Sequence, residues 1–168
     1  MTLSTTPIEA FLTYIGPLTW VDLVTGYDFG LLTSLEIQVA AAGEGPAVQR
    51  LRALEGSALK TFETHLWAAC AEAVGKTPRP GSSRWSQAQD RWREALLRDA
   101  LATDTTAAQL ARSVERLYEQ VGCPEDMLLM LQPSQAWSGT PATVDPAAVR
   151  QFLDRVQRSG HRRFGASS

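Results

Sequence analysis

Apolar residues return every three or four positions through most of the chain, the spacing that stacks side chains on one face of a helix. The clearest case is 106–131, TAAQLARSVERLYEQVGCPEDMLLML, where Leu110, Val114, Leu117 and Val121 form a stripe and Arg112, Glu115, Arg116 and Glu119 fall mostly outside it. This stretch predicts a helix, a sharp corner and a second helix, with the rest of the chain organised around them. Gly122 suits the left-handed residue that ends a helix, and Pro124 suits the first turn of the next, where its missing N–H has no helical partner. Glu125 and Asp126 then meet the positive end of that second helix, and Met127, Leu128, Met130 and Leu131 form its apolar surface. Leu117 and Tyr118 are expected to pack beneath it.

The remaining pattern is also helical. Ile8, Phe11, Leu12 and Ile15 predict a first helix up to the Gly16-Pro17 break. Thr19 followed by Asp22 makes a capping box that starts a second helix at Trp20. Leu23, Val24 and Tyr27 continue that face, while Gly26 and Gly30 mark close backbone approach or a left-handed stop after Phe29. The next segment reads two ways. Leu35, Ile37 and Val39 alternate as in a strand, whereas Ser34 and the alanines favour a capped helix, and helix is preferred. Residues 46–54 predict a short helix, and from Ser57 a long stripe of Leu59, Phe62, Leu66, Ala69, Cys70 and Ala73 ends near Gly75. A loop over 76–83 leads to a helix with Trp85, Ala88, Trp92 and Leu96 on one face. A second loop over 132–145 carries Trp137 as a packing anchor, and Asp145-Pro146 opens a last helix with Val149, Phe152, Leu153 and Val156 inward. Its tail, 159–168, is expected to fray. The expectation is a single all-α domain of about six to eight helices around one core.

Length and charge narrow the possible functions. At 168 residues the chain can bury a core without a metal or disulfide. Its net charge of −2 gives no global field for nucleic acid or an anionic membrane, although residues 1–78 sum to −4 and the remainder to +2. The two cysteines, Cys70 and Cys123, fit a reducing compartment better than a disulfide scaffold. No segment has the form of a signal peptide or the ~20 apolar residues of a membrane span, so a cytoplasmic protein is expected.

Candidate chemistry is sparse. His65 and His161 have no cysteine, histidine or carboxylate at metal-ligand spacing, so no metal or cofactor is implied. Cys123 at a helix start could be an activated nucleophile, but Glu125 and Asp126 disfavour a thiolate, and a small cap residue is the simpler reading. Asp22 and Asp28 could form a carboxylate pair, yet capping and solvated faces account for them. Arg84, Arg91 and Arg93 around Trp85 and Trp92 make the helix from Arg84 to Arg98 a candidate for base stacking, although a seven-residue step fits a core stripe better. Phosphate-binding glycine loops and nucleophile elbows are absent from the sequence, so a non-enzymatic protein is expected.

Three segments, LTWVDLVTGYDFGLL, SSRWSQAQDRWREALL and VERLYEQVGCPEDMLLMLQP, resemble in arrangement the uncharacterised bacterial family called domain of unknown function 2247. The likeness runs from about Thr13 to Pro133 and is most specific at Tyr118, Glu119, Pro124, Glu125 and Pro133. It implies a small helical protein without an assigned activity, and by context an immunity protein that neutralises a cognate toxin. The acidic Asp22, Asp28, Glu36 and Glu44 are then expected to steer a basic partner, with Trp20, Gly26, Trp85, Trp92, Leu117, Tyr118, Gly122 and Pro124 as the structural framework.

Overall fold

The computed structural model describes residues 5–131 and 143–164, among which there are eight α-helices and no strand. In chain order they are α1 (Pro7–Tyr14), α2 (Trp20–Asp28), α3 (Ser34–Ala40), α4 (Pro46–Arg52), α5 (Phe62–Val74), α6 (Ser83–Thr103), α7 (Ala107–Gln120) and α8 (Pro146–Phe164). Threonine capping boxes start α1, α2, α3 and α7, pairing Thr6 with Glu9, Thr19 with Asp22, Thr33 with Glu36 and Thr106 with Gln109. Each box satisfies backbone donors that the helix itself cannot. The segment whose alternation looked strand-like is therefore helix α3, started by Thr33.

The helix that organises the molecule is α6, not the 106–131 corner. At 21 residues it is the longest described, and it packs against α1, α2, α7 and α8. Its two ends serve different clusters. Trp85, Trp92 and Ala95 belong to a first core with Phe11, Leu23, Val24, Ile37, Leu51, Phe62 and Leu66. Leu97 and Ala100 belong to a second with Leu110, Val114, Leu117, Met127, Met130, Val149 and Phe152. The expected single core is thus two clusters on one spine, with Leu96 and Phe29 packed against both.

Trp92 is the largest side chain fully buried. Its ring lies 4.5 Å from Phe11, centroid to centroid, and its indole N–H donates to the Asp22 carbonyl at 2.9 Å. Gly26 is the reason α2 can come so close to it. A Cβ at Gly26 would stand 2.7 Å from Trp92 Cζ2 and 2.8 Å from Leu32 Cδ1. Gly26→Ala is therefore expected to cost about 1 to 3 kcal/mol by overpacking, despite alanine's better helix propensity, and urea unfolding checks this. An unchanged or raised midpoint would show that the contact relaxes freely. Gly30, with φ +68°, closes α2: the Leu31 N–H donates to the Gly26 carbonyl at 2.8 Å and the Gly30 N–H to Tyr27 at 3.0 Å.

The corner after α7 is half as predicted. Gly122 has φ +83°, and the Cys123 N–H reaches back to the Tyr118 carbonyl at 2.8 Å, the closing bond expected of a left-handed stop. No second helix follows. Glu125–Met127 forms one 3₁₀ turn, and its three-residue bond spacing buries Met127 and Met130 while leaving Leu128 and Leu129 exposed by 49% and 68%. Two anchors three residues apart hold a turn to the core but cannot orient a longer helix face. Similarly, the long helix expected from Ser57 opens with a 3₁₀ segment, Gly56–Thr61, and becomes α-helical at Phe62. α8 runs to Phe164 with Val149, Phe152, Leu153 and Val156 buried as predicted. Trp137 and the rest of 132–142, with 165–168, lie outside the described residues.

Candidate functional site

The four acidic residues expected to meet a partner are placed very differently. Asp22 is only 1% exposed, because it is both the capping-box acid of α2 and the ion-pair partner of Arg91 on α6, Oδ2 to Nη2 at 3.3 Å. Burial raises its pKa, opposed by the Thr19 N–H and hydroxyl and then by Arg91. A charge so enclosed cannot steer a partner. Asp28 is exposed at the end of α2, where desolvation and then the charge of Glu63 raise its pKa. Glu36 is half-buried, its Oε2 accepting from the Thr33 N–H at 2.7 Å and hydroxyl at 2.8 Å. Glu44 is exposed just beyond α3.

On either side of Glu36 in α3 lies a feature the sequence reading did not single out. Leu35 and Val39 are 68% and 81% exposed, whereas Ile37 between them is fully buried. Residues i and i+4 share a helix face and i+2 lies roughly opposite, so the chain spends one apolar residue on the core and two on solvent. The signal was present as the Leu35-Ile37-Val39 alternation, which cannot be buried on one side once the segment is helical. The inner side of α3 is held by the Gln38 side-chain amide donating to the Leu51 and Leu54 carbonyls at 3.0 and 2.9 Å. Just past its end, the Ala42 carbonyl accepts from Trp20 Nε1 at 3.2 Å.

The alternative sites fare worse. Trp85 and Trp92 are buried, so their faces cannot stack on bases, and Trp85 instead lies parallel to Trp67 at 6.3 Å. Most of the arginines beside them are committed to the fold. Arg93 is buried between Asp90 and Asp126, 2.6 Å from the latter, with its guanidinium 5.0 Å from the Phe152 ring centre. It ties α6 to the corner and to α8, and a cleft of about 410 Å³ opens beside it. Arg98 pairs with Glu94 at 2.7 Å. Cys123 is exposed and free, with φ +56°, beside the Tyr118 phenol, whose pKa is raised by desolvation and then by Cys123 and Glu125. Cys70 is buried, which pushes its thiol up to about 11. The framework residues Leu117, Tyr118 and Pro124 surround the corner as buried or half-buried packing groups.

Among the described residues, no three or more histidine, cysteine or acidic side chains are grouped to hold a metal, and no helix is long and apolar enough to cross a membrane. A wider cleft, about 810 Å³, lies between α6 and α7, with Leu96, Leu117, Asp99 and Asp104 in its wall. No family model matches the chain, and neither a curated protein nor a solved structure matches it.

Proposed function

We propose that this is a non-enzymatic protein of the bacterial cytoplasm that binds another protein, most specifically an immunity protein that covers the basic active surface of a cognate toxin. The observation that carries the reading is the outer face of α3. Leu35 and Val39 stand in solvent there with Glu36 beside them, on a half of the chain that sums to −4. An apolar centre with a charged surround is the anatomy of a protein interface, where desolvated anchors supply affinity and peripheral charges supply rate and selectivity. The acidic sign fits a basic partner such as a nuclease. Asp28, Glu36 and Glu44 remain as steering groups and Asp22 drops out. The resemblance to the uncharacterised family, resting on the residues quoted for it, points the same way.

The test pairs this protein with the product of the neighbouring gene. Binding should be measurable, should protect cells from that protein, and should slow in association as salt rises. Changing Leu35→Gln and Val39→Gln together should weaken binding at least about tenfold while leaving stability within about 0.5 kcal/mol, because both side chains are exposed. Undiminished binding by the double variant would remove α3 from the interface, and absence of both binding and protection would overturn the function.

A further inference from the structure

A cleft of about 330 Å³ lies between the first turn of α2 and the N-terminal half of α6, with Asp22, Arg84, Gln87 and Arg91 in its wall and Val21 and Val74 on its apolar side. Arg84, Gln87 and Arg91 follow one another at three- and four-residue steps and so form a row along α6. Asp22 is 1% exposed, and its oxygens are unequally used. Oδ2 accepts from the Thr19 N–H and hydroxyl, each at 2.7 Å, and pairs with Arg91, while Oδ1 has no partner. Arg91 Nε is buried without a partner too. An unmatched acceptor and an unmatched donor on one ion pair are destabilising as they stand, and a group offering the complementary pair of atoms would relieve both.

Arg91 is the more exposed member. Its side chain is 35% exposed and is held by Asp22 at 3.3 Å, by the Pro17 carbonyl at 3.2 Å and over the Phe11 ring, 5.3 Å from its centre. Asp22 Oδ1 is itself closed to solvent, so a ligand in the cleft reaches it only when Arg91 shifts outward. Arg84 is exposed and makes no hydrogen bond or ion pair among the described residues. With Asp22 and both arginines charged the wall carries one excess positive charge, which calls for an anion, while Oδ1 calls for a donor close to it.

We propose that this cleft binds a small α-hydroxy or α-amino carboxylate. The carboxylate lies between Arg84 and Arg91 with Gln87 alongside, the hydroxyl or ammonium donates to Asp22 Oδ1, and the substituent rests against Val21 and Val74. Arginine supplies the forked donor geometry that a carboxylate matches. This site is independent of the α3 face.

Amide NMR shifts of the whole chain, followed while L-lactate, L-alanine or propionate is added to roughly 50 mM, test it. Lactate or alanine should move the resonances of 19–22 and 84–91, and propionate, which has the carboxylate but no neighbouring donor, should bind at least about tenfold more weakly. Arg84→Gln removes an unpaired surface guanidinium, so its spectrum should stay folded while affinity for the better probe falls at least about tenfold. Site-specific shifts absent with both probes, propionate binding as well as lactate or alanine, or full affinity in Arg84→Gln would each overturn the proposal.

Discussion

Trp92→Ala is expected to cost about 3 to 5 kcal/mol, the range for emptying a fully buried aromatic site. Trp92 is inaccessible to solvent, touches Phe11 from α1, and approaches the backbone of α2 at Gly26. Removing it therefore opens a void where three helices meet, and the glycine that lets the helices come so close leaves no side chain to fall into the space. The variant also deprives the Asp22 carbonyl of the indole N–H. Against the roughly 5 to 15 kcal/mol by which a domain is stable, such a loss leaves a marginal fold. Urea unfolding followed by circular dichroism measures it. Trp92→Phe, which keeps most of the volume and loses the hydrogen bond, should fall well short of the alanine variant. A cost below about 1 kcal/mol for Trp92→Ala would mean that α1, α2 and α6 do not depend on this contact.

Leu117→Ala, in the other cluster, is expected to cost about 2 to 3 kcal/mol, in the lower part of the range for leucine truncation. Leu117 is buried among Leu110, Val114 and Met127, but one side of it also lines the cleft between α6 and α7. Space vacated there can be reached by water or refilled by neighbours, so less of the cavity term survives than in a closed core. The surface residue Glu119 on the same helix serves as the comparison, and Glu119→Ala should change stability by less than about 0.5 kcal/mol.

What could be read from the sequence was whatever local pattern decides. The helical class, the Thr19 cap, the left-handed stops at Gly30 and Gly122 and the buried stripes of α7 and α8 follow from spacing and from residues with few conformational options. The errors lie where tertiary packing decides. Nothing local distinguishes Met127 and Met130 pinning a single turn from Met127 to Leu131 lining a helix, since both place apolar residues three apart. Asp22 reads as a surface acid until α6 brings Arg91 and Trp92 over it, a relation across about 70 residues of chain that no window contains. The role of α6 was hidden for the same reason. Its pattern showed a stripe, but not that the stripe changes partner midway, from Trp92 and Ala95 to Leu97 and Ala100. The α3 face was legible in principle, because apolar residues at 35, 37 and 39 on a helix leave some of them outside whatever the rest of the chain does.

The central structural claim is that α6 joins the two clusters into one folding unit, and tryptophan fluorescence of Leu117→Ala tests it most directly. Of the five tryptophans, Trp20, Trp67, Trp85 and Trp92 sit in or against the first cluster, Trp137 is changed to Phe in both proteins compared, and Leu117 is in the second. If the shared helix couples them, the fluorescence midpoint of the variant in urea falls together with the circular dichroism midpoint, by the same amount and in a single transition. A fluorescence midpoint that stays at the wild-type value while circular dichroism loses part of its helix signal earlier would contradict the claim.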